Sequence, residues 1–253
     1  MTKLNQILSQ WPPNTLITTE WLEEKGVSRQ LANSYIKSGW LTRFESGAYK
    51  RPHEQINWTG GLYTLQNLSD LSVHVGGISA LEVQGYAHYI RKSAQQKVTL
   101  WKTPEVRLPA WFANHEWKVD MQVRSVNLFD GGKPMLTEKV IDGLPVHVSV
   151  PEQAILEYVY DIPKLEGFDE ASYIIEGLTS LRPGVLQSLL ERCRSIKVKR
   201  LFLYLADYYA HSWFKRLDLS NVDMGSGKRE IIKGGKLDKK YQIVVPDVNR
   251  EDR

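Results

Sequence analysis

Residues 16–51, LITTEWLEEKGVSRQLANSYIKSGWLTRFESGAYKR, decide the fold of this chain. Leu16-Ile17 is a short apolar strand. Thr18 or Thr19 can cap the helix that follows, and Glu20 falls in its first turn, where the helix dipole favours an acid. That helix is brief, Trp21 to Glu24, because Lys25-Gly26 ends it: glycine adopts the left-handed conformation of a tight turn. Ser28 caps a second helix that runs to about Ser38, with Val27, Leu31 and Tyr35 on one face and Ile36 beside them. Beyond Gly39, Trp40–Phe44 and Ala48–Arg51 are two strands around Glu45-Ser46-Gly47, and Pro52 closes the segment. Helix, turn, helix and basic hairpin in this order define a winged helix-turn-helix.

Upstream, Leu4, Ile7, Leu8 and Trp11 recur at helical spacing until Pro12-Pro13 stops them. Downstream, residues 53–61 read as linker between a 1–52 DNA-binding domain and a 62–253 domain. The second domain opens with a helix carrying Leu62, Leu65 and Leu68. Strands are expected at 72–75, 97–101, 117–129 and 140–150, the last broken by a turn at Asp142-Gly143. A helix from Ile78 to about Ile90 follows Gly76-Gly77, and further helices are expected at 151–160, 169–180, 184–193 and 197–213. A closing hairpin would join Lys228–Lys233 to Tyr241–Val245 around Gly234-Gly235. Strands first and helices later make the fold class α+β, a winged helix-turn-helix plus a larger mixed domain.

Composition bounds the function. Of 253 residues, 42% are hydrophobic and 25% charged, as in soluble globular proteins. No apolar run is long enough to span a bilayer, and the first residues, MTKLNQILSQWPP, lack a signal peptide's apolar core, so a cytoplasmic protein without a membrane partner is expected. A single cysteine, Cys193, rules out an internal disulfide. The small net charge of +4 says little by itself; where it sits says more, and residues 1–51 hold seven Lys and Arg against four acids, with further basic stretches at 192–200 and 228–240.

In such a module the second helix enters the major groove, where Arg pairs with guanine and Asn or Gln with adenine. Ser28, Arg29, Gln30, Asn33, Ser34 and Lys37 lie away from the apolar face and are the candidate readers; Arg43, Ser46, Lys50 and Arg51 are the wing's candidate phosphate contacts. Either set, taken alone, is also what a solvated surface looks like; the complete order of elements favours DNA. Catalysis finds no support. Gly225-Ser226-Gly227-Lys228-Arg229 fails as a phosphate loop, with Val222 where the first glycine belongs and Arg229 where Ser or Thr belongs. The six histidines form no metal-ligand spacing, no serine-hydrolase elbow occurs, and no cofactor is called for. The run Arg192, Arg194, Lys197, Lys199, Arg200 is either a solvated face or a surface for an acidic partner or DNA, and the solvated face is the better reading.

The stretch VGGISALEVQGYAHY at 75–89, with the winged helix and the closing Gly227-Lys228-Arg229…Gly234-Gly235-Lys236…Pro246 segment, resembles the AbiEi family, antitoxins of type IV toxin–antitoxin systems. The resemblance spans nearly the whole chain. It implies a protein that is not an enzyme and has two tasks: repressing its own operon by binding inverted repeats in double-stranded promoter DNA, and neutralising a nucleotidyltransferase-like toxin, with or without a direct complex. It also places DNA contacts at Arg29, Gln30, Asn33, Lys37, Arg43 and Lys50. The competing reading is a winged-helix repressor whose C-terminal domain senses a ligand.

Overall fold

The computed structural model describes residues 2–86, 96–164 and 166–246. The chain is α+β. In order come α1 (Lys3–Gln10), β1 (Ile17–Thr18), α2 (Thr19–Glu24), α3 (Arg29–Lys37), β2 (Thr42–Glu45), β3 (Ala48–Lys50) and α4 (Trp58–Tyr63), which runs on as π-helix at Thr64–Leu68. Then follow β4 (Val73–Val75), α5 (Gly77–Val83), β5 (Lys97–Lys102), α6 (Ala110–Ala113), β6 (Asp120–Ser125), β7 (Leu136–Ile141) and β8 (Leu144–Ser149). The rest is α7 (Pro151–Asp161), α8 (Phe168–Gly177), α9 (Pro183–Arg192), α10 (Ile196–Tyr208), β9 (Arg229–Glu230), β10 (Lys236–Asp238) and β11 (Ile243–Val245). The helix expected to reach Ile90 ends at Val83; residues 87–90 of that expectation, His88 included, lie outside the described residues. Two compact units emerge. One is Met1–His74, Ala94–Val126 and Glu138–Val148, the other Val75–Ser93, Asn127–Thr137 and Ser149–Arg253.

The first unit holds the winged helix-turn-helix and most of a five-stranded sheet of order β6-β5-β4-β8-β7. Thr18, not Thr19, caps α2 by accepting the Trp21 N–H at 3.2 Å. Ile7, Trp11, Ile17, Trp21, Leu22, Val27, Ala32, Leu41 and Tyr49 form the core beneath α3, with Leu31, Tyr35 and Ile36 packed against it only partly buried. In place of a linker, Trp58 begins a buried helix, capped by the Asn57 side chain accepting the Gly60 N–H at 3.0 Å. Asn57 and Thr59 both donate to the Asp142 carboxylate, at 2.9 and 2.7 Å. The Gly60-Gly61 pair serves close packing rather than flexibility. A Cβ on Gly60 would stand 2.1 Å from the Asn14 carbonyl oxygen, and one on Gly61 would stand 2.4 Å from the Trp117 ring. Sequence alone cannot separate these two uses of glycine, because both demand a missing side chain. The turn at Asp142-Gly143 is as expected: φ values of 50° and 79° make it the two-residue type that suits a twisted hairpin.

In the second unit α7 is the hub, packing on α5, α8, α9 and α10. Its buried Glu157 accepts the Gly77 N–H at 2.9 Å, the Ser149 hydroxyl at 2.9 Å and the Gln153 amide at 2.7 Å. Every lone pair so engaged offsets the cost of burying a carboxylate. Gly77, at φ +55°, lets the chain turn sharply from β4 into α5.

The basic run 192–200 is neither a solvated face nor an open patch. Lys199 and Arg200 are 2% and 3% exposed. Arg200 donates to the carbonyls of Met224 (2.7 Å), Gly225 (3.0 Å) and Gln242 (3.2 Å), and also to that of Gly227. Lys197 donates to the Tyr160 and Ile162 carbonyls, while Arg192 reaches the Asp130 carbonyl and Arg194 the Asp130 carboxylate. This also disposes of the phosphate-loop likeness: the 225–227 loop turns its carbonyls toward a guanidinium, whereas phosphate needs converging N–H groups. The closing segment differs from the expected hairpin. β9 runs parallel to β11, and the antiparallel partner of β11 is β10, across a turn at 239–242. Two- and three-residue strands carry too little pattern to fix their direction.

Candidate nucleic-acid interface

Three local devices shape α3 and the wing. Ser28 accepts the Leu31 N–H at 3.2 Å and starts α3. Gly39, at φ +77°, ends it: the Gly39 N–H bonds the Ile36 carbonyl and the Trp40 N–H the Tyr35 carbonyl. Those two bonds make a Schellman cap. The wing then forms from β2 and β3, with a bulge between Arg43 and Glu45 and Ser46-Gly47 at the tip. β1 pairs with β3, and the Thr19 N–H bonds the Gly47 carbonyl at 3.0 Å, which ties the tip back to α2.

The wing has a brace that sequence reasoning missed. The Phe44 ring lies 4.4 Å from His115 and 5.9 Å from Trp117, and His115 Nδ1 is 3.2 Å from a Glu45 carboxylate oxygen. Trp117 in turn packs on Phe112 and donates its indole N–H to the Phe112 carbonyl at 2.9 Å. The only sequence signal was the aromatic density of 111–117; nothing in it pointed to β2.

Of the ten predicted contact residues, eight are exposed: Ser28, Arg29, Gln30, Asn33, Ser34 and Lys37 from α3 and its cap, and Arg43 and Ser46 from the wing. Arg29 meets Glu23 at 3.1 Å, both well solvated, so water and salt weaken this pair and the guanidinium can exchange partners. The other two are only partly exposed. Lys50 donates to the Glu54 carbonyl at 2.7 Å. Arg51 is turned under the module: it donates to the carbonyls of Leu8 and Trp11 and lies 5.0 Å over the Trp11 ring. Arg51 is so engaged because the end of α1 leaves carbonyls that need donors. Conversely Trp40, read from sequence as a strand residue, is 51% exposed.

These features define a winged helix-turn-helix protein whose α3 exposes polar and cationic side chains. The chain belongs to the AbiEi family: residues 1–92 match the N-terminal domain model and 95–246 the model described as transcriptional regulator, AbiEi antitoxin, type IV toxin–antitoxin system. A solved structure, the RV2827C protein from Mycobacterium tuberculosis, is similar in fold, with TM-score 0.58 over 95% of this chain and 89% of that one at 16% identity. A search of the curated proteins finds no match. No helix among the described residues is long and apolar enough to cross a membrane.

Proposed function

We propose that this antitoxin-family regulator binds inverted repeats in the promoter of its own operon, with α3 in the major groove and the wing on the adjacent backbone. It thereby represses transcription. The observation that carries the reading is the exposure of Arg29, Gln30, Asn33, Ser34 and Lys37 along α3 and of Arg43 and Ser46 on the wing that follows it. Arg29, Gln30 and Asn33 have the donor and acceptor pairs that read base edges; Lys37 and Arg43 supply the charge that positions them. Two protomers on a repeat double the readout. The test is fluorescence anisotropy with duplex DNA from upstream of the gene. Arg29→Ala with Asn33→Ala is expected to weaken binding by roughly a hundredfold, given about 1–3 kcal/mol for each paired base contact. Unchanged affinity in that double variant overturns this surface.

The second task is neutralisation of a nucleotidyltransferase-like toxin in the cytoplasm, without catalysis by this chain. The family's description as type IV antitoxin supports it. Co-expression with the neighbouring toxin gene tests it: growth is expected to recover with the whole chain, and failure to recover removes this half of the reading.

A further inference from the structure

Of the eight tryptophans in the chain, seven are buried: Trp11, Trp21, Trp58, Trp101, Trp111, Trp117 and Trp213 are 1–7% exposed. Trp40 is 51% exposed. Its place in the chain is the third residue beyond α3, where a Schellman cap commonly brings an apolar side chain toward the helix residue five positions back, here the partly buried Tyr35. About half of Trp40 faces water, at a chain position between Lys37, on the last turn of α3, and Arg43, on the first wing strand, both exposed. Thr42, also exposed, adds a hydroxyl to the same stretch. A large exposed apolar side chain with an exposed cation three residues to either side along the chain fits a ligand that offers apolar rings and anions in alternation. Deoxyribose and phosphate along one DNA strand alternate in this way.

We infer that Trp40 is a DNA contact: its indole packs on the sugars of the strand that runs between the recognition helix and the wing, while Lys37 and Arg43 take the phosphates on either side. The inference rests on the proposed DNA-binding reading and deepens it. An apolar contact of this kind releases no counterions, so it adds affinity without adding salt dependence.

Two measurements on the full chain with the upstream duplex decide it. Because the other seven tryptophans are buried, quenching of the intrinsic fluorescence by neutral acrylamide reports chiefly on Trp40. DNA is expected to remove most of that quenching in the wild type and to have little effect in Trp40→Phe. Trp40→Ala is expected to lower affinity about tenfold, the scale of roughly a quarter of an indole withdrawn from water, with an unchanged slope of log K against log salt. Lys37→Ala should reduce that slope. Wild-type affinity in Trp40→Ala, wild-type quenching that DNA leaves unaltered, or a reduced slope in Trp40→Ala each overturns the assignment. So does an affinity loss that sedimentation traces to lost self-association, since Trp40 would then join two copies of the chain. A wild type that fails to bind the duplex defeats the DNA-binding reading as well, whereas a binding wild type with an indifferent Trp40→Ala defeats only this inference.

Discussion

Arg51 and Arg200 show how little a cation's identity says about where it will point. Both lie in basic stretches, and both have their guanidinium groups occupied by backbone carbonyls. No periodicity separates an arginine that clamps a loop from one that meets DNA, because the same five donors serve either purpose. Arg200→Ala leaves the carbonyls of Met224, Gly225, Gly227 and Gln242 without their donor, and is expected to cost about 3 kcal/mol, visible as a lower melting temperature and faster proteolysis beyond residue 222. Glu152 carries a pH dependence. Burial pushes its carboxyl up, but the hydrogen bonds and charge of Arg182 outweigh burial and hold it below the usual range. The native state therefore gains from this pair above the unfolded carboxyl's pKa, about 4.3, and loses the gain as pH falls through the lower native value. The stability difference between wild type and Glu152→Gln in urea titrations should accordingly be largest near neutrality and shrink in acid. A constant difference would remove the Arg182 pair as its source.

At the level of elements, the winged helix was legible because each boundary carries its own chemistry: Ser28 as cap, Gly26 and Gly39 as left-handed stops, and Gly47 in the hairpin turn. What supports those elements was not. The helix at Trp58 was hidden by Gly60-Gly61, whose propensities belong to a linker and whose packing belongs to a core. Gly60→Ala would drive a methyl group into the Asn14 carbonyl, a backbone atom that cannot swing aside. It is expected to destabilise the first unit by about 3 kcal/mol, at the upper end of overpacking costs, as read from denaturant midpoints. The parallel pairing of β9 with β11 was equally unreadable, since each paired segment is two residues long.

Across the whole molecule, the boundary at residue 52 divides what folding joins. The Leu16 N–H bonds the Thr64 hydroxyl at 2.9 Å, and Phe44 leans on His115 and Trp117, so the winged helix draws on residues far beyond its own end. A fragment of residues 1–52 is expected to melt well below the full chain and to show lost near-ultraviolet tryptophan signal. A fragment that melts like the parent would show these bonds to be dispensable. The chain's one cysteine has a different reach. Cys193 is buried, and desolvation pushes its thiol up to about 11, so at neutral pH it stays protonated and unreactive. Native protein should therefore resist maleimide at pH 7 and react only once unfolded. A cysteine introduced at Ser34 or at Ser46 would then be the sole handle for a dye or spin label, which makes the natural sequence a ready-made background for site-directed spectroscopy of the helix and the wing one at a time.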